Sequence, residues 1–179
     1  MKEREEKNFK EACAHIGAFF YRFSHIELGI NRLIGKALAL DDHQTDIVSS
    51  IVPLQNKIKL LKAAIYKQEN QSPHFKKHAI STLKKFMSYN DMRVTLAHQS
   101  FSVGKNGRCV TYKYSKVTSD GILKDRTETF SFEEIESQCI KMSELALEIK
   151  SIEVLMHPVV GRVFATEMID TAKFSGEIV

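Results

Sequence analysis

NFKEACAHIGAFFYRFSHIELGINRLIGKALAL, residues 8–40, decides the fold. Phe9, Cys13, Ile16, Phe20, Phe23, Glu27, Ile30, Ile34 and Ala37 recur at a 4-3-4-3 spacing, and Ala12, Phe19, Ile26 and Leu33 widen the stripe. Steps of three and four place side chains on one face of a helix, whereas a strand needs alternation by two. The stretch predicts a long amphipathic helix from about residue 5 to about residue 39. Gly17, Gly29 and Gly35 each weaken it and are the places for a bend.

Downstream, DDHQTD (41–46) supplies turn and capping chemistry, with Asp42 or Thr45 as the expected N-cap. The apolar series Ile47, Ile51, Leu54, Ile58, Leu61 and Ile65 contains Pro53, which suits a first helical turn. The series therefore splits into a short helix near 44–51 and a longer one near 53–69. A further helix begins after Ser72 with Pro73 in its first turn, and Ala79, Leu83, Met87, Val94 and Ala97 carry it to about His98. Asn90 occupies the stripe position between Met87 and Val94.

The pattern then changes. FSVGKNGRCVTYKYSKVTSDGILKDRTETFS (101–131) is rich in Val, Thr, Tyr and Phe, and Asn106-Gly107 and Asp120-Gly121 are hairpin signals. Strands are expected near 100–104, 108–117 and 123–130. Ser131 and Glu134 have the spacing of a capping box, opening a helix through Ile135, Cys139, Met142, Ala146, Ile149 and Ile152 that Pro158 ends. A short helix near 159–172 is the last expectation. The expected architecture is a mainly α, helical bundle: one domain over 1–179, core helices over about 5–98 and 132–157, and a small antiparallel β meander over about 100–130.

At 179 residues the chain is long enough for one well-buried core, and no Pro/Gly/Ser-rich linker divides it. No apolar run approaches the roughly 18 to 20 residues that span a bilayer, and the charged start MKEREEKNFKE lacks a signal peptide's apolar stretch. The cytoplasm is the expected location. Cys13, Cys109 and Cys139 are odd in number, far apart and without a CxxC pair, which supports neither a disulfide framework nor a zinc knuckle. His74 and His78 stand four apart but lack a third ligand at suitable spacing, so no metal or other cofactor is expected.

Charge is unevenly spread around the net +4. Residues 53–126 carry fifteen Lys/Arg against four Asp/Glu, while residues 127–179 carry four against ten. A basic middle segment can neutralise phosphates if its charges share a face; otherwise its lysines solvate the outer sides of two helices. Tyr112 and Tyr114, alternating with Lys113, fit either a base-stacking surface or an ordinary hairpin face.

Two polar residues interrupt apolar stripes. Glu27 on the first helix must be desolvated unless a partner satisfies it, and an unpaired buried charge costs several kcal/mol. Arg93, three residues after Asn90, is the expected partner. A Glu–Arg or Glu–Asn link of this kind either fixes helix register or supports a reactive site.

The segment NDMRVTLAHQSF (90–101) resembles the end of the motif helix in HEPN (higher eukaryotes and prokaryotes nucleotide-binding) domains. Arg93 and His98, separated by four residues, match the family's R-x4-6-H motif, and Ala97-His98 matches its close. The resemblance spans about residues 10–155 and includes the long first helix with its acidic residue, Glu27. It implies a metal-independent endoribonuclease with Arg93 and His98 as catalytic residues, Glu27 and Asn90 in support, and RNA as substrate. It further implies a toxin or antiphage defence role, with an antitoxin or other protein as partner. Val94 stands where active members commonly carry Asn or Asp, which favours the alternative of a catalytically silent, dimeric interaction or nucleic-acid-binding module. Lys84 and Lys85, on the basic helix before the motif, are the expected nucleic-acid contacts.

Geometry constrains the motif. At 100° per residue, five residues separate two side chains by about 140° around a regular helix. Either the helix unwinds near His98 or a second chain completes the site. The resemblance implies the second, a homodimer built partly through the first helix and the helix bearing Arg93.

Overall fold

A computed structural model describes residues 2–69, 71–104 and 106–157. Helix α1, Lys2–Leu38, runs unbroken through Gly17, Gly29 and Gly35. Its expected stripe is buried from Ala12 through Phe19, Phe23, Ile26, Ile30 and Leu33 to Ala37. Phe9, 51% exposed, and Cys13 fall on its outer edge. The chain ends α1 with Ala39 in the left-handed region at φ 54°.

Helix α2, Asp42–Ile51, is capped one residue earlier than expected: the Asp41 carboxylate accepts from the Gln44 N–H at 2.8 Å, and Gln44 bonds back to the Asp41 N–H. Pro53 precedes α3, Leu54–Lys67, as its extended N-cap.

The expected helix from Pro73 to His98 is two helices, α4 (Pro73–Ser88) and α5 (Asn90–His98). No Gly or Pro marks the break. The Ser88 hydroxyl donates to the Lys85 carbonyl at 2.7 Å, and the Tyr89 N–H turns to the Phe86 carbonyl, a tightened last turn. The register of burial changes beyond it. Thr95 and Leu96 become the buried residues of α5, while Val94, 40% exposed, and Ala97 face solvent. The apolar series projected through Val94 and Ala97 is therefore corrected at Tyr89.

Strands β1 (Phe101–Val103), β2 (Cys109–Val117) and β3 (Leu123–Ser131) form an antiparallel sheet in that order. Gly107 and Gly121 take φ of +74° and +75° at the two turns, the conformation that made Asn-Gly and Asp-Gly hairpin signals. The register pairs Val110 with Phe130, Tyr112 with Glu128 and Tyr114 with Arg126. Helix α6, Phe132–Leu155, begins as expected, with the Glu134 N–H donating to the Ser131 hydroxyl at 3.0 Å. The expectations for Pro158 and for a helix near 159–172 lie outside the described residues.

The fold is thus mainly helical, with a three-stranded sheet inserted between α5 and α6. No helix among the described residues is long and apolar enough to cross a membrane. The described residues fall into two compact units, those up to His25 with Lys85–Leu145, and Ile26–Lys84 with 146–157. The first unit is built on aromatic contacts: Phe23 lies 4.9 Å from Phe86, Phe9 stacks on Phe101 at 5.5 Å, and His15 stacks on Phe132 at 4.6 Å. The second is aliphatic, with Ile30, Leu33, Leu61, Ile65 and Leu83 fully buried. Gly29 is needed there, because a Cβ at that position would meet the Ile149 Cγ2 at 2.9 Å.

Tyr112 is the largest fully buried side chain, and no described residue bonds its hydroxyl. Burial pushes its pKa up to about 12. An unfolded tyrosine ionises near 10, so the neutral buried ring contributes fully below pH of about 10, and that contribution is lost as pH rises toward 12. Tyr112→Phe removes an orphan hydroxyl and should leave the protein as stable at pH 7 or more stable by about 1 kcal/mol, with a shallower alkaline loss of melting temperature. A marked fall in melting temperature at pH 7 would contradict this account. Ser131→Ala removes the α6 cap and should cost about 1 kcal/mol, read as a melting temperature lower by about 2–4 °C.

Candidate functional site

Arg93, His98 and Asn90 share α5 in the first unit, with Asn90 as its first residue. Arg93 is half-buried, and its guanidinium sits 5.8 Å from the Phe23 ring centroid. Phe23 itself packs against Phe19 and Phe86, so the arginine rests on an aromatic shelf, and among the described residues no hydrogen bond or ion pair engages its N–H fork. His98 ends the helix and is exposed; Gln99 follows as C-cap, its N–H donating to the Thr95 carbonyl at 3.3 Å. The helix stays regular through His98, so of the two alternatives the unwinding does not occur. The two motif residues stand about 140° apart around its axis.

His98 follows Asp91 by seven residues and Thr95 by three, which places all three on one side of α5. An open groove of about 290 Å³ lies between α5 and the sheet, lined by Asp91, Val94 and Thr95 of the helix, by Gln99 just after it and by Tyr114, Arg126 and Glu128 of the sheet; His98 is not among the lining residues. The Glu128 carboxylate organises the groove. It accepts from the Thr95 hydroxyl at 3.0 Å and from the Tyr114 hydroxyl at 2.7 Å. That bond to Glu128 is the chief reason why the Tyr114 pKa is raised, and it keeps the phenol protonated.

Sequence reasoning missed Glu128 and Thr95 and read Tyr114 only as a hairpin face or stacking residue. The available signal was the Asp120-Gly121 turn, which fixes the register and sets Tyr114 diagonal to Glu128.

Glu27 belongs to the second unit, and its partner is Lys57, at 3.3 Å. This corrects Arg93 as the expected partner. Glu27 is also less buried than its stripe position implied, with 31% of its side chain exposed, while Lys57 is 4% exposed. Lys57 sits between Leu54 and Leu61 on the apolar face of α3, so its ammonium meets Glu27 rather than water. The pair links α1 to α3 and has the geometry of a register-fixing contact.

Lys84 is exposed on α4, where it lines a groove with Tyr66, Lys76 and Lys77. Lys85, its neighbour, is exposed and does not line that groove.

No protein-family model, curated protein or solved structure matches the chain. Assignment of chemistry accordingly rests on the site itself.

The Glu27–Lys57 pair makes an asymmetric prediction. Glu27→Gln strands a buried ammonium and should cost about 1–2 kcal/mol, the partial exposure of Glu27 moderating the loss. Lys57→Met keeps the buried stem and leaves the carboxylate access to water, so it should cost less than about 1 kcal/mol. Urea midpoints in the reverse order would refute Lys57 as the residue that depends on the pair.

Proposed function

We propose that the protein is a metal-independent endoribonuclease of HEPN type, with Arg93 and His98 as its catalytic residues. The observation that carries the reading is the contrast between them on one short helix. Arg93 is set on an aromatic shelf with no hydrogen bond or ion pair to its fork among the described residues, and His98 is open to solvent at the helix end. A histidine removes the proton of a ribose 2′-hydroxyl or returns one to the departing 5′-oxygen. The 2′-oxygen attacks phosphorus as the 5′-oxygen leaves, giving a 2′,3′-cyclic phosphate and a 5′-hydroxyl, while Arg93 holds the phosphate as its oxygens gain charge.

The continuity of α5 supports a homodimer within this reading, because Arg93 of one copy and His98 of another can converge where the two on one regular helix diverge. A cytoplasmic toxin or antiphage defence protein, restrained by an antitoxin or other partner, is the role that fits such chemistry. The second reading, a silent dimeric interaction or nucleic-acid-binding module, is favoured by Val94, an exposed apolar residue beside the motif arginine.

Single-turnover cleavage of RNA in EDTA, measured beside direct binding, separates the two readings. His98→Ala should lower the cleavage rate by at least about 100-fold while changing affinity by less than about threefold. Arg93→Ala should lower both, and Arg93→Lys should restore only part, since an ammonium keeps the charge without the two-pronged contact. Glu27, engaged with Lys57, should leave the pH profile of cleavage unchanged when replaced by Gln. Undiminished cleavage by His98→Ala would end the nuclease assignment.

A further inference from the structure

The second unit carries a basic groove of about 550 Å³ along one face of α4. Pro73, Lys76, Lys77, Ile80 and Lys84 recur there at helical spacing, and Tyr66, at the end of α3, forms the facing side. Among the described residues, none that lines it is acidic. Across Leu54–Lys84 the chain has seven lysines and a single acid, Glu69. Lys57 is drawn inward by Glu27, whereas Lys77 and Lys84 point to water. Lys76 donates to the Tyr66 carbonyl at 3.1 Å, tying the two sides of the groove together. Tyr66 is 67% exposed, a large ring in solvent in a groove that it lines together with Lys76, Lys77, Lys84 and the apolar Ile80.

This combination selects a ligand class. Lysines in a row neutralise a phosphate backbone, and a flat exposed ring beside them offers an unstacked base a surface. A duplex buries its base faces and has no use for the ring. Lys77 and Lys84 are separated by about 10 Å along the helix axis, so a strand lying along α4 meets charge at more than one phosphate.

We infer that the α3–α4 groove binds single-stranded RNA without sequence preference, with Tyr66 as the stacking platform and Lys77 and Lys84 as phosphate contacts. The choice of RNA rests on the ribonuclease reading; the preference for a single strand rests on the groove alone.

Fluorescence anisotropy with a labelled oligouridylate, free or annealed to its complement, tests this in EDTA with the full chain carrying His98→Ala. The single strand should bind at least about tenfold more tightly than the duplex. Tyr66→Ala should weaken single-strand binding about tenfold and leave the salt dependence unchanged, while Tyr66→Phe should bind like the parent. Lys77→Ala with Lys84→Ala should weaken binding and reduce the salt slope by about 1.4. All four side chains changes lie on exposed positions, and circular dichroism verifies folding. Equal binding of the duplex, or parent-like affinity in Tyr66→Ala, would overturn the inference. A protein that binds through Tyr66 but never cleaves retains the groove and loses the nuclease; one that cleaves while groove variants keep full affinity loses the groove alone.

Discussion

Burial of one face of α1 is the constraint on which the other elements depend. Ala12, Phe19, Phe23, Ile26, Ile30, Leu33 and Ala37 are all within a few per cent of complete burial, each large side chain contributing about 1.5–3 kcal/mol by leaving water. Later elements are met along this helix in turn. Thr45 of α2 closes over Gly35, Lys57 of α3 reaches Glu27, and Ile149 of α6 presses on Gly29 in the second unit. In the first unit Phe86 of α4, Arg93 of α5 and Phe101 of β1 take their places against Phe23 and Phe9. A candidate catalytic arginine is therefore positioned by the same apolar stripe that organises the fold.

What the sequence made legible was whatever is encoded locally. The period of α1 survived three glycines because its buried face outweighs their helix cost, about 1 kcal/mol each. The hairpins followed from Gly107 and Gly121, whose positive φ is a property of the residue itself, and the start of α6 followed from one hydroxyl and one N–H. The break at Tyr89 was illegible because Ser88 and Tyr89 are tolerated in helices and the cause is a back-bond to Lys85 with a tightened turn. The Glu27 partner was misread for a different reason. A lysine is taken as a solvated residue by default, yet Lys57 lies on the face shared by Leu54 and Leu61, and that position was visible.

The candidate site divides along the same line. Arg93 and His98 were readable as a motif, whereas the groove beside them requires Thr95, Tyr114 and Glu128 to converge from elements separated by a loop and two turns. Glu128 binds both hydroxyls at once and is the residue that joins sheet to helix.

Chemistry and binding place unequal demands on these side chains. General acid–base catalysis needs its groups held to within about 0.5 Å of a productive geometry. Arg93 has the Phe23 ring to rest against, but among the described residues no hydrogen bond or ion pair holds the His98 ring. Its orientation must then come from substrate or from a second copy of the chain, which is the physical reason for expecting catalytic competence and dimerisation to appear together. The α3–α4 groove has no such requirement. Ammonium groups on flexible stems and one exposed ring tolerate displacement of an ångström or more, so strand binding can persist in a chain whose histidine is unrestrained. On the proposed reading, that asymmetry makes the state of His98, rather than the basic surface, the property that would separate a nuclease from a silent RNA-binding module.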